Sequence, residues 1–150
     1  SIKDNVGLTI YNKYLKYGFV LNHPAINKVV DDSIKQLSIK TPSMQQQIGN
    51  LSGGNQQKVI VAKWLANNPD ILIMDEPTRG IDIGAKHEIY EIMESLAEQG
   101  KAIIMISSEM AELIGMSDRI YVMSEGKLKG EITDRKDMTQ EKIMGYAAQY

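Results

Sequence analysis

The chain has 150 residues, 43% hydrophobic and 24% charged, with a formal net charge of −2 and no cysteine. That is the balance of a single soluble-type domain able to bury roughly two-thirds of its unfolded-chain surface, and it excludes disordered and membrane-spanning classes. Disulfides and thiolate metal sites are excluded, no basic excess points to nucleic acid, and no apolar run approaches the ~20 residues that span a bilayer. The chain opens at Ser1-Ile2-Lys3 without an initiator Met or a signal peptide, and we expect it to be a piece of a longer polypeptide.

Residues 1 to 50 read as polar and helical. Tyr11, Tyr14 and Tyr17 are spaced to share a helix face, either packed on a small core or offered to a partner. Pro24 suits a first helical turn, and Ile26, Val29, Val30, Ile34 and Leu37 recur at three- and four-residue steps, with Thr41-Pro42-Ser43 expected to close the helix. From residue 51 the rhythm changes. Gly53-Gly54 opens a helix carrying Val59, Ile60, Trp64 and Leu65, which stops at Asn67-Asn68-Pro69.

Ile71 to Met74 reads as a fully buried strand, Ile83 to Gln99 as a helix burying Ile89, Ile92, Met93 and Leu96 with Gly100 as its cap, and Ala102 to Ile106 as a second buried strand. Strand, helix and strand in that order predict a parallel βαβ unit. A short helix begins at Glu109. Ile120 and Val122 alternate with polar neighbours, Glu125-Gly126 turns, and Leu128 to Ile132 returns as a hairpin. Thr139 is placed to cap a last helix with Glu141 in its first turn.

The chemistry begins where the first strand ends. Asp75 and Glu76 leave it at its C-terminal edge, where open α/β sheets bind ligands. One carboxylate can hold a divalent cation through its water shell, and the other can orient or deprotonate a water. Upstream stands Leu51-Ser52-Gly53-Gly54-Asn55-Gln56-Gln57, glycines at a helix start that let backbone N–H groups approach an anion. Taken locally, that run is also an ordinary Ser/Gly N-cap, and an acidic pair ending a strand is common.

Together, Leu51 to Gln57, the helix after it and Asp75-Glu76-Pro77-Thr78 resemble the signature and Walker B motifs of ATP-binding cassette (ABC) ATPases. Arg79-Gly80-Ile81-Asp82 falls where that family has its D-loop, and Ile106-Ser107-Ser108-Glu109-Met110 extends the likeness. More narrowly, the chain resembles the second cassette of the two-cassette ATPases of ribose and galactose/methyl galactoside importers.

The resemblance implies ATP and Mg²⁺ as ligands. Ser52, Gly53 and Gly54, with help from Gln56, would grip the γ-phosphate of ATP held mainly by the other cassette. Asp75 would hold Mg²⁺, Glu76 would polarise the hydrolytic water, and Asp82 would link the two sites. Residues 1 to 50 would be the helical subdomain facing the permease, and residues 51 to 150 the signature, Walker B, D-loop and switch part of the core. The implied fold is α/β, a partial P-loop NTPase with a parallel βαβ core, a helical subdomain and a C-terminal β-hairpin. The implied partners are membrane permease subunits, the second cassette and, indirectly, a sugar-binding protein, at the cytoplasmic face of the membrane.

Two departures stand out. No Gly-x-x-x-x-Gly-Lys-Ser/Thr occurs in the 150 residues, so the phosphate-loop strand is absent. Its absence predicts weak ATP binding and unpaired strand edges that favour self-association or a marginal sheet. Ser108 stands where the family usually has a histidine, and a serine supports developing phosphoryl charge less well. His23 and His87 lack further ligands nearby, the nine methionines follow core positions, and Lys127 and Lys129 read as a solvated face. The rival readings are a non-catalytic, permease-docking piece and a DNA-repair or chromosome-structuring ATPase; the latter carries long heptad coiled coils, and this chain has none.

Overall fold

In the computed structural model, which describes residues 1–148, helix α1 (Ile2–Gly7) and helix α2 (His23–Gln36) pack against helix α3 (Gly53–Leu65). Pro24 lies in the first turn of α2, where its missing N–H costs nothing. Ile26, Val30 and Leu37 are buried, as their spacing predicts, with Val29 and Ile34 half-buried at the edge of the stripe. The helix ends before Thr41-Pro42-Ser43. Ser38 turns left-handed at φ 49°, its N–H donates to the Lys35 carbonyl, and the Ile39 N–H donates to Ile34, which is a Schellman closure with an apolar pair across it.

The three tyrosines do not share a helix face. Tyr11 and Tyr14 lie in a short 3₁₀ turn, after which the chain forms a small hairpin of β1 (Leu15–Lys16) and β2 (Val20–Leu21). Tyr17 at φ 55° and Gly18 at φ 82° form its turn, and no right-handed helix passes through such a pair.

Helix α3 buries Gly54, Lys58, Val59, Val61 and Ala62, whereas Ile60 and Trp64, which the sequence places on the helix without fixing their face, are turned out. Val59 to Ala62 is apolar on every side, so hydrophobicity alone cannot set the rotation; contact with the next helix does. That helix, α4 (Ile83–Glu98), connects β3 (Ile71–Asp75) to β4 (Ala102–Ile106), and the two strands pair in parallel. It buries Ile89, Met93 and Leu96, leaves Ile92 half-buried, and closes through Gly100 at φ 86° with the Lys101 N–H on the Leu96 carbonyl.

The two strands are not fully buried. Leu72 and Met74 are, but Ile71 and Ile73 are 60% and 66% exposed, and β4 leaves Ile104 and Ile106 half in water. Central parallel strands read as continuous apolar runs because both faces are covered. Here one face is covered, and among the described residues β4 has a single neighbour, β3.

Contacts divide the chain into two units, Ser1–Met105 and a second beginning at Ile106. The second unit holds α5 (Met110–Met116), an antiparallel pair of β5 (Ile120–Ser124) and β6 (Lys127–Ile132), and α6 (Gln140–Ala147). Glu125 and Gly126 both take positive φ at the turn, and the ladder shifts register at Val122/Met123. Ile120, Val122, Ile132, Met138 and Ile143 form its core, and Thr139 caps α6 by accepting from the Lys142 N–H.

An ion pair between a buried lysine and a half-buried glutamate ties α3 to α4. Lys58, 3% exposed, places Nζ 2.8 Å from Glu88 Oε2 and donates to the Ser38 carbonyl, while Lys40 approaches Glu88 Oε1 at 3.4 Å. The hydrogen bond from Lys58, followed by the fields of Lys58 and Lys40, holds the Glu88 carboxyl below its ordinary value of 4.5 despite some desolvation. Glu88→Gln strands a desolvated ammonium. Such losses reach about 3–5 kcal/mol when both partners are buried; with the Glu88 side chain 39% exposed, we expect about 2 kcal/mol in urea denaturation. Because the folded pKa is lowered, the pair's stabilisation is complete above the unfolded value and fades as pH falls through the folded one. Denaturation of the parent chain, compared at neutral pH and near pH ~3, should show that loss, and Glu88→Gln should remove part of the difference.

Candidate functional site

Ser52 is the N-cap of α3 by position, but its hydroxyl accepts from no backbone N–H of the first turn. It accepts instead from Asn55 Nδ2 at 2.8 Å, and Asn55 Oδ1 accepts from the Lys40 N–H at 2.8 Å. The first amide used within the helix is that of Gln56, which donates to the Ser52 carbonyl at 2.9 Å. The N–H groups of Gly53, Gly54 and Asn55 thus have no acceptor within the helix, at a start that carries roughly half a positive charge and where Ser52 and Gly53 are exposed, Asn55 is half-buried and Gly54 is buried.

The glycines have distinct reasons. A methyl on Gly54 would sit 2.5 Å from Ala85 Cβ, so the bare backbone lets α3 approach the first turn of α4. Gly53 is exposed, and a methyl there would meet Ile81 Cγ2 at 3.4 Å and the Gly80 carbonyl at 4.0 Å. The glycine pair and the Arg79–Asp82 segment are therefore neighbours in space.

Asp82 lies on the far side of that segment as the N-cap of α4, its carboxylate accepting from the Ala85 N–H at 2.9 Å. Gln56 is half-buried and turned back: its side-chain amide donates to the Leu51 carbonyl at 2.9 Å, which braces the loop and directs it away from solvent.

Asp75 ends β3 with its side chain exposed. Glu76 is half-buried at φ 46°, a left-handed conformation unusual for a residue with a long side chain. Pro77 and Thr78 beyond it are fully buried, and the Arg79 N–H closes a turn onto the Glu76 carbonyl at 3.2 Å. The buried pair holds the turn, and the turn holds Glu76 in that conformation, the kind of strain that gathers at functional positions. Ser108 is exposed in the second unit, between β4 and α5. Beside it Ser107 donates to the buried Glu112 and accepts from the Glu109 N–H.

Sequence reading missed Asn55, Lys58 and Glu88. Asn55 could have been found, since it falls inside the motif. A lysine and a glutamate each surrounded by ordinary helix sequence carry no sign that one is buried and the other is its partner.

The donors suit an anion such as a terminal phosphate: first-turn amides with no acceptor inside the helix, led by that of exposed Gly53, a hydroxyl not spent on capping, and no carboxylate within the Leu51–Gln57 run. An exposed carboxylate at a strand end suits a hydrated divalent cation. Among the described residues no group of three or more His, Asp or Glu side chains could hold a metal, so a cation here needs ligands from phosphate, water or another segment.

The architecture is that of ATP-binding cassettes. It superposes on an ATP-binding cassette of an ABC transporter with a TM-score of 0.80, at 20% identity, over 97% of this chain and 62% of that one. It also matches a dimeric ATP-binding cassette bound to ADP and Pi in a post-hydrolysis state, with a TM-score of 0.73 at 25% identity, over 89% of this chain and 56% of that one. The chain belongs to the ABC transporter family, whose model matches residues 2–79. Over all 150 residues it is 56% identical to a ribose import ATP-binding protein and 55% identical to a galactose/methyl galactoside import ATP-binding protein, both of Clostridium tetani. A xylose import ATP-binding protein of Thermoanaerobacter pseudethanolicus is 50% identical over 144 residues, 96% of this chain and 28% of that protein. The chain spans 30% of the length of the two Clostridium relatives.

Gly54→Ala should force α3 and α4 apart and cost about 1–3 kcal/mol. Adding Ala85→Gly removes the opposing methyl and should recover most of it. Denaturation midpoints of the two singles and the double measure the coupling; additive losses would show that the contact is not what requires the glycine.

Proposed function

We propose that this chain is part of the ATP-hydrolysing subunit of an ABC transporter for carbohydrate import, contributing the signature, Walker B and D-loop segments of a second cassette. The observation that carries the reading is the uncapped start of α3, Ser52 to Gly54, lying against Gly80 and Ile81. Relatives named for ribose, galactose/methyl galactoside and xylose import support a sugar as cargo. The sugar itself would be chosen by the permease and a sugar-binding protein, not here.

When bound, ATP would supply the phosphoryl group and Mg²⁺ would offset its charge. Ser52 Oγ and the Gly53 and Gly54 amides would hold the terminal phosphate of a nucleotide seated mainly on the other cassette. Gln56, engaged with Leu51, would keep the loop in shape and make no contact of its own. Asp75 would hold the cation through water, and Glu76 would orient and deprotonate the attacking water. Asp82, by fixing the start of α4 beside the glycines, would couple the two sites.

Residues 1–50 would form the helical subdomain facing the permease, and 51–150 the remaining signature-to-switch part, at the cytoplasmic face of the membrane. No helix among the described residues is long and apolar enough to cross it, which fits a peripheral placement.

Ser108 in the switch position would leave the Glu76 site a weak hydrolase, with Ser52 serving the opposite, faster one. In the full-length protein Ser52→Ala should lower kcat about a hundredfold, as loss of a charge-stabilising donor does. Glu76→Gln should cost about tenfold or less, below the usual effect of removing a general base. Equal losses in a steady-state ATPase assay would refute that division of labour.

The missing phosphate loop favours a second reading, a docking piece that does not turn over ATP alone. Titration calorimetry of this chain with Mg-ATP should detect binding far weaker than micromolar; micromolar affinity would overturn the reliance on another segment.

A further inference from the structure

The β1–β2 hairpin ends in a turn whose side chains have no use inside the fold. Tyr17 is 89% exposed and Phe19 80%, and a methyl added to Gly18 would meet nothing within 4 Å, so the tip stands clear of the chain. Tyr17 holds φ 55°, a conformation that costs a residue with a side chain roughly 1 kcal/mol and that no burial of its ring repays. The turn is well supported from behind. The Phe19 N–H donates to the Lys16 carbonyl, the Asn22 N–H donates to Tyr14 at 2.8 Å, and Lys13 Nζ reaches the Asn67 carbonyl at the end of α3.

Charge around the tip is one-sided. From Asn5 to Val30 there is no Asp or Glu, while Lys13, Lys16 and Lys28 all fall within the stretch, in a chain whose net charge is −2. Lys16 is exposed and has no carboxylate partner among the described residues.

We propose that the Lys16–Phe19 hairpin tip is a contact site for an anionic lipid surface. Two aromatic rings on a convex, rigid turn can enter the boundary between headgroups and acyl chains, with the Tyr17 hydroxyl left among the headgroups. Lys16 stays at the surface and meets lipid phosphate, and the absence of acidic residues from the flanking sequence removes the local repulsion such a surface would impose. A convex tip offers no cleft for a peptide side chain, and an apolar phenyl ring gains more from a lipid boundary than from water. Two rings and one free lysine give reversible attachment, not anchoring. The inference does not rest on the transport reading: lipid binding is measured without nucleotide, and either can fail alone.

The test is flotation of the full chain with vesicles of phosphatidylcholine, alone or mixed with phosphatidylglycerol. Binding is expected to the mixed vesicles only and to fall as salt is raised. Lys16→Glu should weaken partitioning more than fivefold, since each lysine near such a surface is worth about that factor. Tyr17→Gly removes a ring while suiting the left-handed turn, so folding is preserved, and combined with Phe19→Ser it should cost at least about tenfold. Equal binding to neutral vesicles, or unchanged binding by variants with native circular dichroism, would overturn the proposal. Binding of a single-stranded oligonucleotide through the same residues, with no vesicle binding, would overturn it in favour of a nucleic-acid contact.

Discussion

The closeness of α3 to α4 governs the first unit. With no side chain on Gly54, the start of α3 can lie against Ala85, and that contact sets the rotation of a helix whose middle is apolar all round. Rotation in turn decides that Lys58 faces inward, where Glu88 neutralises it, and that Ile60 and Trp64 face outward. It also brings the glycine loop beside Gly80 and Ile81. One absent methyl thus shapes both the packing of two helices and the surface we assign to phosphate.

At the end of β3 and at the start of α3, stability and chemistry pull in different directions. Glu76 lies in a backbone conformation that a glycine would take more easily, and it is held there by the burial of Pro77 and Thr78. Ser52 forgoes the cap that a serine in its place would normally form, and Asn55 takes up its hydroxyl instead. Each is a departure from local preference at a polar residue. Such departures are expected where a residue is kept for what it binds.

The exposed strands have a different origin. Ile71, Ile73, Ile104 and Ile106 are residues of a strand covered on both sides, yet they stand on a sheet with one covered face. Their relatives are more than three times as long as this chain, and an ATP-binding cassette of the same fold exceeds it as well.

From sequence alone the βαβ order, the Gly100 and Thr139 caps, the Glu125-Gly126 turn and the signature-to-Walker B order were all legible. Each depends on residues close in sequence, where backbone sterics and a side chain's nearest donors decide the outcome. The phase of α3, the early end of α2, the tyrosine hairpin and the Lys58–Glu88 pair were not legible. Each of the first and last depends on a partner on another helix, and the hairpin and helix end depend on left-handed residues with side chains, Tyr17 and Ser38, whose types do not favour that conformation, although Gly18 follows Tyr17 in the hairpin turn. Tertiary structure also decided what the motif residues are free to do: whether Ser52 caps, where Gln56 points, and which amides remain open. Those are questions of geometry between segments, and composition and spacing do not contain it.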